Sequence, residues 1–216
     1  MLAPSSPRAE SSRQRTTSTL TEGVPTGNLR VSVTAQDHVQ GPDTAAVTLV
    51  EYADYECPYS RRAYPVVQQL QRELGDQLRF VYRNFPLRDV HPHAQHAAEA
   101  AEAAANQGTF WEMHDYLFDH QRALDDEHLR QYAELLGLDT AGYEQDMAGH
   151  RYAGRIEDDL LGGVESGVRG TPTFFINGVR HEGSHDKKSL LPAIQEVAAS
   201  LLPDQDVVQQ RVGGPS

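Results

Sequence analysis

The run Val47-Thr-Leu-Val-Glu-Tyr-Ala53, followed by a short polar bend, Cys57 and Pro58, constrains the fold more than any other stretch of the chain. Ala46 to Ala53 is β-rich and mostly apolar, the composition of a buried central strand, with Glu51 as the exception. After Cys57 the period changes: Tyr64, Val67, Leu70 and Leu74 recur at helical spacing, and Gly75-Asp76 closes the helix. Leu78-Arg-Phe-Val-Tyr82 reads as the next strand. A strand, a helix and a second strand within about forty residues form a βαβ unit, which implies parallel pairing through a right-handed crossover. Cys57 then falls at the strand-to-helix junction, where open α/β sheets place their sites.

The remaining segments arrange themselves around this unit. Residues 1–27 are rich in Ser, Thr, Pro and Arg and are expected to be a disordered tail. Asn28-Leu-Arg-Val-Ser-Val33 alternates at period two, as an edge strand does, and Gly41-Pro-Asp43 is a turn. Beyond Tyr82 the strand signal is lost for about ninety residues. Helices are expected over Ala94–Asn106, around Phe110, Met113, Leu117 and Phe118, over His128–Leu136, and over Tyr143–Gly162, the last broken by Gly149 and Gly154. Thr173-Phe-Phe-Ile176 resumes the sheet, Asn177-Gly178 signals a type I′ hairpin, and Val179–Glu182 would return antiparallel. Ser189 to Leu202 is a closing amphipathic helix ended by Pro203. The expected organisation is an α/β domain in two parts, 28–90 and 169–203, with an all-helical insertion over 91–168 and a tail over 204–216.

A chain of 216 residues has enough length for a substantial core. Its net charge of −12 opposes binding to nucleic acid or an anionic membrane, because the phosphate interaction would be repulsive. No stretch approaches the ~20 apolar residues that span a bilayer, and Met1 to Thr19 lacks the apolar region of a secretory signal. One cysteine excludes any intrachain disulfide, which fits a reducing compartment, so a cytoplasmic location is the expectation.

Taken alone, Cys57 reads as an inert buried thiol; its placement argues otherwise. At a helix N-terminus the free backbone N–H groups and the positive end of the dipole favour the thiolate, and Pro58 suits the first helical turn. The segment Glu51-Tyr-Ala-Asp-Tyr-Glu-Cys57-Pro-Tyr-Ser60 resembles the active site of the DsbA family of thioredoxin-fold thiol–disulfide oxidoreductases, whose pattern is Cys-Pro-X-Cys. Gly170-Thr-Pro-Thr-Phe-Phe-Ile-Asn-Gly178 is similar to that family's second signature, a cis-proline loop leading into a strand and hairpin. The match covers roughly residues 28–203 in the right order, and the long helical block matches the family's insertion.

The resemblance implies a thioredoxin-like fold, a central mixed sheet with the all-helical insertion, and a role for each motif residue. Cys57 would be the nucleophile that forms mixed disulfides. Pro58, Tyr59, Thr171 and the cis-proline Pro172 would bind substrate, with Thr171 presenting backbone groups to an extended peptide. Glu51 would lie buried beneath the site and assist proton transfer, with burial raising its pKa. The departure is Ser60, where the family carries its second cysteine. Ser60 can offer a hydrogen bond but cannot resolve a mixed disulfide, so an outside thiol must do so. A natural monothiol variant, an introduced serine that traps mixed disulfides, and a loss of redox turnover all fit this sequence.

The expected activity is therefore thiol–disulfide exchange on protein or small-molecule partners. No cofactor is called for beyond glutathione as a candidate co-substrate. Two other classes fit the same residues. One is a glutathione-dependent transferase or isomerase, although that branch of the superfamily commonly carries serine in place of Cys57. The other is a non-catalytic peptide-binding module. His91, His93, His96, His114 and His120 lack the cysteine or carboxylate set of a recognisable metal site, and read instead as solvent-facing or capping residues. Phe110, Trp111, Met113 and Phe118 read as core, and Glu99, Glu102 and Glu112 as a solvated acidic face.

Overall fold

Five strands set the frame: β1 (His38–Gln40), β2 (Val47–Ala53), β3 (Leu78–Asn84), β4 (Thr173–Ile176) and β5 (Val179–Arg180). The structure, a computed structural model, describes residues 27–201. The strands lie in the order β1-β3-β2-β4-β5. β2 and β3 pair in parallel from Val47 opposite Leu78 to Ala53 opposite Asn84, as the βαβ reading requires. β1, β4 and β5 each join antiparallel, so the sheet is mixed. The crossover between β2 and β3 is α1 (Pro58–Leu74). Between β3 and β4 stand five helices: α2 (Ala94–Ala105), α3 (Phe110–Asp119), α4 (Asp126–Leu135), α5 (Thr140–Ala148) and α6 (Ala153–Glu165). The last described helix is α7 (Lys187–Ser200).

Alternation along the strands divides the interior in two. Leu49, Ala53, Phe80, Tyr82, Phe174 and Ile176 face the larger core with α1, α7 and the helices of the insertion. Val50, Tyr52, Val81 and Phe175 face a smaller one, closed by Leu160 of α6 and by Leu29 and Val33. Phe110, Met113 and Phe118 belong to the larger core, with Trp111 packed against it, as their helical spacing suggested. The hairpin after β4 turns through Asn177 and Gly178, both at positive φ (47° and 83°), which is what a type I′ turn needs.

Several expectations are corrected. Asn28–Val33 does not form the edge strand; β1 takes that place, and only Asn28 makes a bridge, to Val179. The backbone of this segment is committed elsewhere: the Arg83 guanidinium donates to the carbonyls of Val31 and Ser32, and Ser166 Oγ accepts from Arg30 N–H. Glu99 and Glu102 are not solvated but buried. Glu102 holds His38 and the side chain of Asn84, and Glu99 holds His150 and Gln95, so each buried carboxylate has polar partners. Glu112 alone of the three is exposed.

α6 does not stop at Gly162 but runs on to Glu165. Gly162 and Gly163 act here as close-approach residues. A Cβ on Gly163 would lie 2.7 Å from the Phe85 ring, and one on Gly162 2.9 Å from Val31. β5 is two residues long, shorter than Val179–Glu182, and α7 begins at Lys187, where Asp186 caps it by accepting from Ser189 N–H. The tail expected over residues 1–27 lies outside the described residues except for Gly27, and so do Pro203 and the tail over 204–216.

Candidate active site around Cys57

Cys57 is the N-cap of α1, in extended conformation, with Pro58 as the first helical residue. The loop that delivers it from β2 is closed by Asp54. The Asp54 carbonyl accepts from Cys57 N–H at 3.1 Å, and its carboxylate accepts from Glu56 N–H and Leu87 N–H at 2.7 and 2.8 Å. The same carboxylate meets His91 Nδ1 at 2.8 Å. From the other side, Gln121 donates its side-chain amide to the carbonyls of Tyr55 and Cys57 at 2.7 and 2.8 Å. The first turn of α1 contains no acidic residue, and Cys57 stands at the positive end of the helix dipole.

The two sequence motifs converge. The Thr171–Pro172 peptide bond is cis, and Cys57 Sγ lies 3.2 Å from the Thr171 carbonyl, to which the thiol donates. Cys57 is only 3% exposed in this arrangement. Thr171 and Pro172 are buried with it, and the Thr171 hydroxyl has no hydrogen-bond partner among the described residues. Ser60 is fully buried in the first turn of α1, and its hydroxyl accepts from Asp54 N–H at 3.4 Å. Pro58 and Tyr59 are exposed, Tyr59 at 60%, and the Arg62 guanidinium sits 4.4 Å above its ring.

Glu51 occupies the centre of the sheet, directly opposite Tyr82 on β3 and Phe174 on β4. It shares a sheet face with Leu49 and Ala53, so its carboxyl is directed into the larger core. It is 3% exposed, and its Oε1 has no hydrogen-bond partner among the described residues. Burial without a compensating cation pushes its pKa up to about 8, so the neutral acid dominates at pH 7.

The histidines do not converge on one point. His91, His93 and His96 each meet a different carboxylate, those of Asp54, Glu56 and Asp126, and His120 Nδ1 donates to the Tyr116 carbonyl. His114 corrects its expectation: it is buried among Tyr55, Tyr82 and Phe118, with Nδ1 3.1 Å from the Tyr55 hydroxyl. Burial lowers its pKa to about 3, leaving a neutral imidazole.

Asp54 and Gln121 shape the cysteine loop, yet sequence reading passed over both. Asp54 had a detectable signal, an aspartate two residues before a turn N–H that it bonds. Gln121 had none, since it reaches Cys57 across 64 residues of chain.

A cysteine capping a helix beside a cis-proline loop, on a mixed sheet with a helical insertion, defines a DsbA-like protein of the thiol–disulfide oxidoreductase class. The chain belongs to the thioredoxin family, whose Thioredoxin_4 model matches residues 33–196. A solved thioredoxin-like oxidoreductase from Silicibacter pomeroyi is 29% identical with a TM-score of 0.69, covering 77% of this chain and 94% of that one. BdbD from Bacillus subtilis, at 22% identity and a TM-score of 0.66 over 76% of this chain and 93% of its own, shares the fold. In sequence, the chain is similar to a protein from Salinispora tropica named Na(+)/H(+) antiporter NhaA 3, at 51% identity over 165 residues. That match takes in 76% of this chain but only 25% of the antiporter, so the chain spans about a quarter of the curated relatives it matches.

The cytoplasmic expectation is corrected at this point. A solved neighbour at 20% identity and a TM-score of 0.61 is a periplasmic thioredoxin-like protein from Salmonella enterica, so the fold is found outside the cytoplasm and a cytoplasmic location does not follow from it. Inference from the cysteine count failed because a cysteine that serves as the reacting group carries no information about structural disulfides.

Proposed function

We propose that this chain exchanges thiols and disulfides through Cys57 alone, with an external thiol completing each cycle. The observation that carries the reading is the placement of the chain's one cysteine at the α1 N-terminus, 3.2 Å from the Thr171 carbonyl of the cis-proline loop. Cys57 attacks one sulfur of a disulfide, a mixed disulfide forms, and the other sulfur leaves as a thiolate. Ser60 fills the position of a resolving thiol without being able to act as one, so the mixed disulfide persists until an outside thiolate attacks it. Tyr59 and Pro58 offer the exposed side of the contact, and Thr171 and Pro172 the buried side. Glu51, neutral at pH 7, serves as a proton reservoir beneath the sulfur. Glutathione is one co-substrate that fits these requirements.

Antiport itself belongs, on this reading, to the part of the antiporter-named relatives outside the matched quarter. No described helix is long and apolar enough to cross a membrane, and the matched segment carries a redox fold. The reading is tested by intact mass after incubation with oxidised glutathione. One glutathione adduct is expected on the chain as sequenced and none on Cys57→Ala. An unmodified Cys57 after prolonged incubation would exclude it. Glutathione conjugation to an electrophile that survived Cys57→Ala would favour the transferase class instead, and peptide binding indifferent to Cys57→Ser would favour the binding module.

A further inference from the structure

In a chain of net charge −12, the arginines are divided in an uneven way. Several are neutralised: Arg83 holds Asp37, Arg88 holds Glu157, Arg155 holds Asp159 and Arg180 holds Glu182. Arg61, Arg62, Arg122 and Arg169 form no salt bridge among the described residues. All four are exposed. Arg61 lies one turn along α1 from Cys57 and donates its backbone N–H to the Cys57 carbonyl. Arg62 covers Tyr59, Arg169 stands three residues before Pro172, and Arg122 follows the Gln121 that holds the Cys57 carbonyl. Arg30 and Arg72 also form no salt bridge among the described residues, but neither lines the cavity described next.

That cavity, of about 400 Å³, opens between the start of α1 and the α3–α4 connection. It is lined by Arg61, Asp119, His120, Gln121, Arg122 and Ala123. Two arginines and one aspartate are among its lining residues, so the charged groups of the lining are net positive. The His120 ring is fixed by its bond to the Tyr116 carbonyl and by stacking on Tyr116 at 4.2 Å. Gln121 ties the cavity wall to the cysteine backbone. Guanidiniums left without partners are well suited to carboxylates, which they grip through paired N–H donors.

We propose that this cavity binds a carboxylate-bearing low-molecular-weight thiol, and that this anionic thiol is the external agent that resolves Cys57. The inference rests on the exchange chemistry proposed above and names its co-substrate class. In the charging step, Cys57 S⁻ attacks one sulfur of the small disulfide RS–SR, giving Cys57–S–SR and releasing RS⁻. In the resolving step, a second RS⁻ attacks the R-side sulfur, RS–SR re-forms, and Cys57 leaves as the thiolate. With a protein disulfide as the first partner, Cys57 is left joined to one partner sulfur while the other leaves as a thiolate. RS⁻ then attacks the Cys57 sulfur and releases the second partner thiolate. A second RS⁻ resolves Cys57–S–SR as above, so the partner is reduced as two RS⁻ become RS–SR. Each step breaks one S–S bond and forms one, so electrons balance without a further oxidant or reductant.

The test compares rates of Cys57 modification by oxidised glutathione (anionic), hydroxyethyl disulfide (neutral) and cystamine (cationic), read by intact mass at low and high NaCl. The proteins are the unmodified chain, Arg61→Ala/Arg122→Ala, the charge-retaining Arg61→Lys/Arg122→Lys, and Arg88→Ala as a remote control. Removing both guanidiniums should lower the ratio of the glutathione rate to the hydroxyethyl rate about five- to tenfold, as expected for two partly exposed charge pairs. The lysine variant should recover part of that ratio, cystamine should gain relative rate, and added salt should erode the glutathione preference alone. A ratio unchanged within about twofold, with no salt dependence, would overturn the anionic-thiol site while leaving the Cys57 exchange intact. If none of the three disulfides modifies Cys57, the exchange reading itself fails, and this inference with it.

Discussion

Replacing Glu51 by glutamine should change the pH dependence of stability more than the stability itself. Glu51 is neutral in the folded protein up to about pH 8, whereas its ordinary value is 4.5. Between these values the folded chain binds a proton that the unfolded chain has released, so stability falls as pH rises through the window and levels off above about 8. At ~1.4 kcal/mol per pH unit, the loss relative to strongly acidic solution is ~1 kcal/mol at pH 5 and ~4 kcal/mol at pH 8. Glu51→Gln keeps the shape and removes the titration. In urea unfolding from pH 5 to 8, the stability of the variant relative to the parent should therefore rise by ~3 kcal/mol, with unchanged m-values. A difference that stays flat across this range would show that the carboxyl is not held neutral. The proton-reservoir role would then lose its basis.

Three further outcomes follow from neighbouring features. His114, with its pKa lowered to about 3, works in the opposite direction: stability should decline as pH drops from 6.5, because only the unfolded chain takes up the proton. Its ring resonances should stay fixed from pH 7 to 4.5, and a titration midpoint near 6.5 would contradict its burial. Gly163→Ala places a Cβ 2.7 Å from the Phe85 ring and should cost ~1–3 kcal/mol in chemical denaturation; a change below ~0.5 kcal/mol would mean that α6 can shift freely. Gln121→Ala removes both amide bonds to the Tyr55 and Cys57 carbonyls, and should raise hydrogen exchange at the cysteine loop while leaving that of β4 unchanged. Equal exchange in the loop would refute the bracing role.

The sequence made the β2–α1–β3 unit, β4 and its hairpin legible, because buried parallel strands and Asn-Gly turns leave strong local patterns. The two signatures of the site, Cys57-Pro-Tyr-Ser60 and Thr171-Pro172, were legible through their resemblance to the DsbA family rather than from local pattern, and the structure places Cys57 Sγ 3.2 Å from the Thr171 carbonyl. What local pattern could not reveal was long-range satisfaction of polar groups. Asn28–Val33 alternates like a strand, but Arg83 takes two of its carbonyls from 50 residues away or more. Glu99 and Glu102 look like a wet face until His150, His38 and Asn84 arrive from other elements. Nothing in the local pattern marks Gly162-Gly163 as a packing surface, which only the approach of Phe85 and Val31 makes it. Location was misread for a different reason: a cysteine count speaks of structural disulfides and carries no address.

The central claim is that Cys57 is the attacking half of an exchange site whose resolving half is replaced by Ser60. Ser60→Cys tests this most directly. Each protein is incubated with oxidised glutathione, and its mass is followed over time. On the chain as sequenced, the single glutathione adduct should accumulate and persist. On Ser60→Cys, the adduct should appear only transiently and give way to a species two hydrogens lighter than the reduced protein. That species is an internal disulfide between Cys57 and the introduced thiol, which the first turn of α1 brings together. Two stable adducts on Ser60→Cys, or none on either protein, would contradict the account.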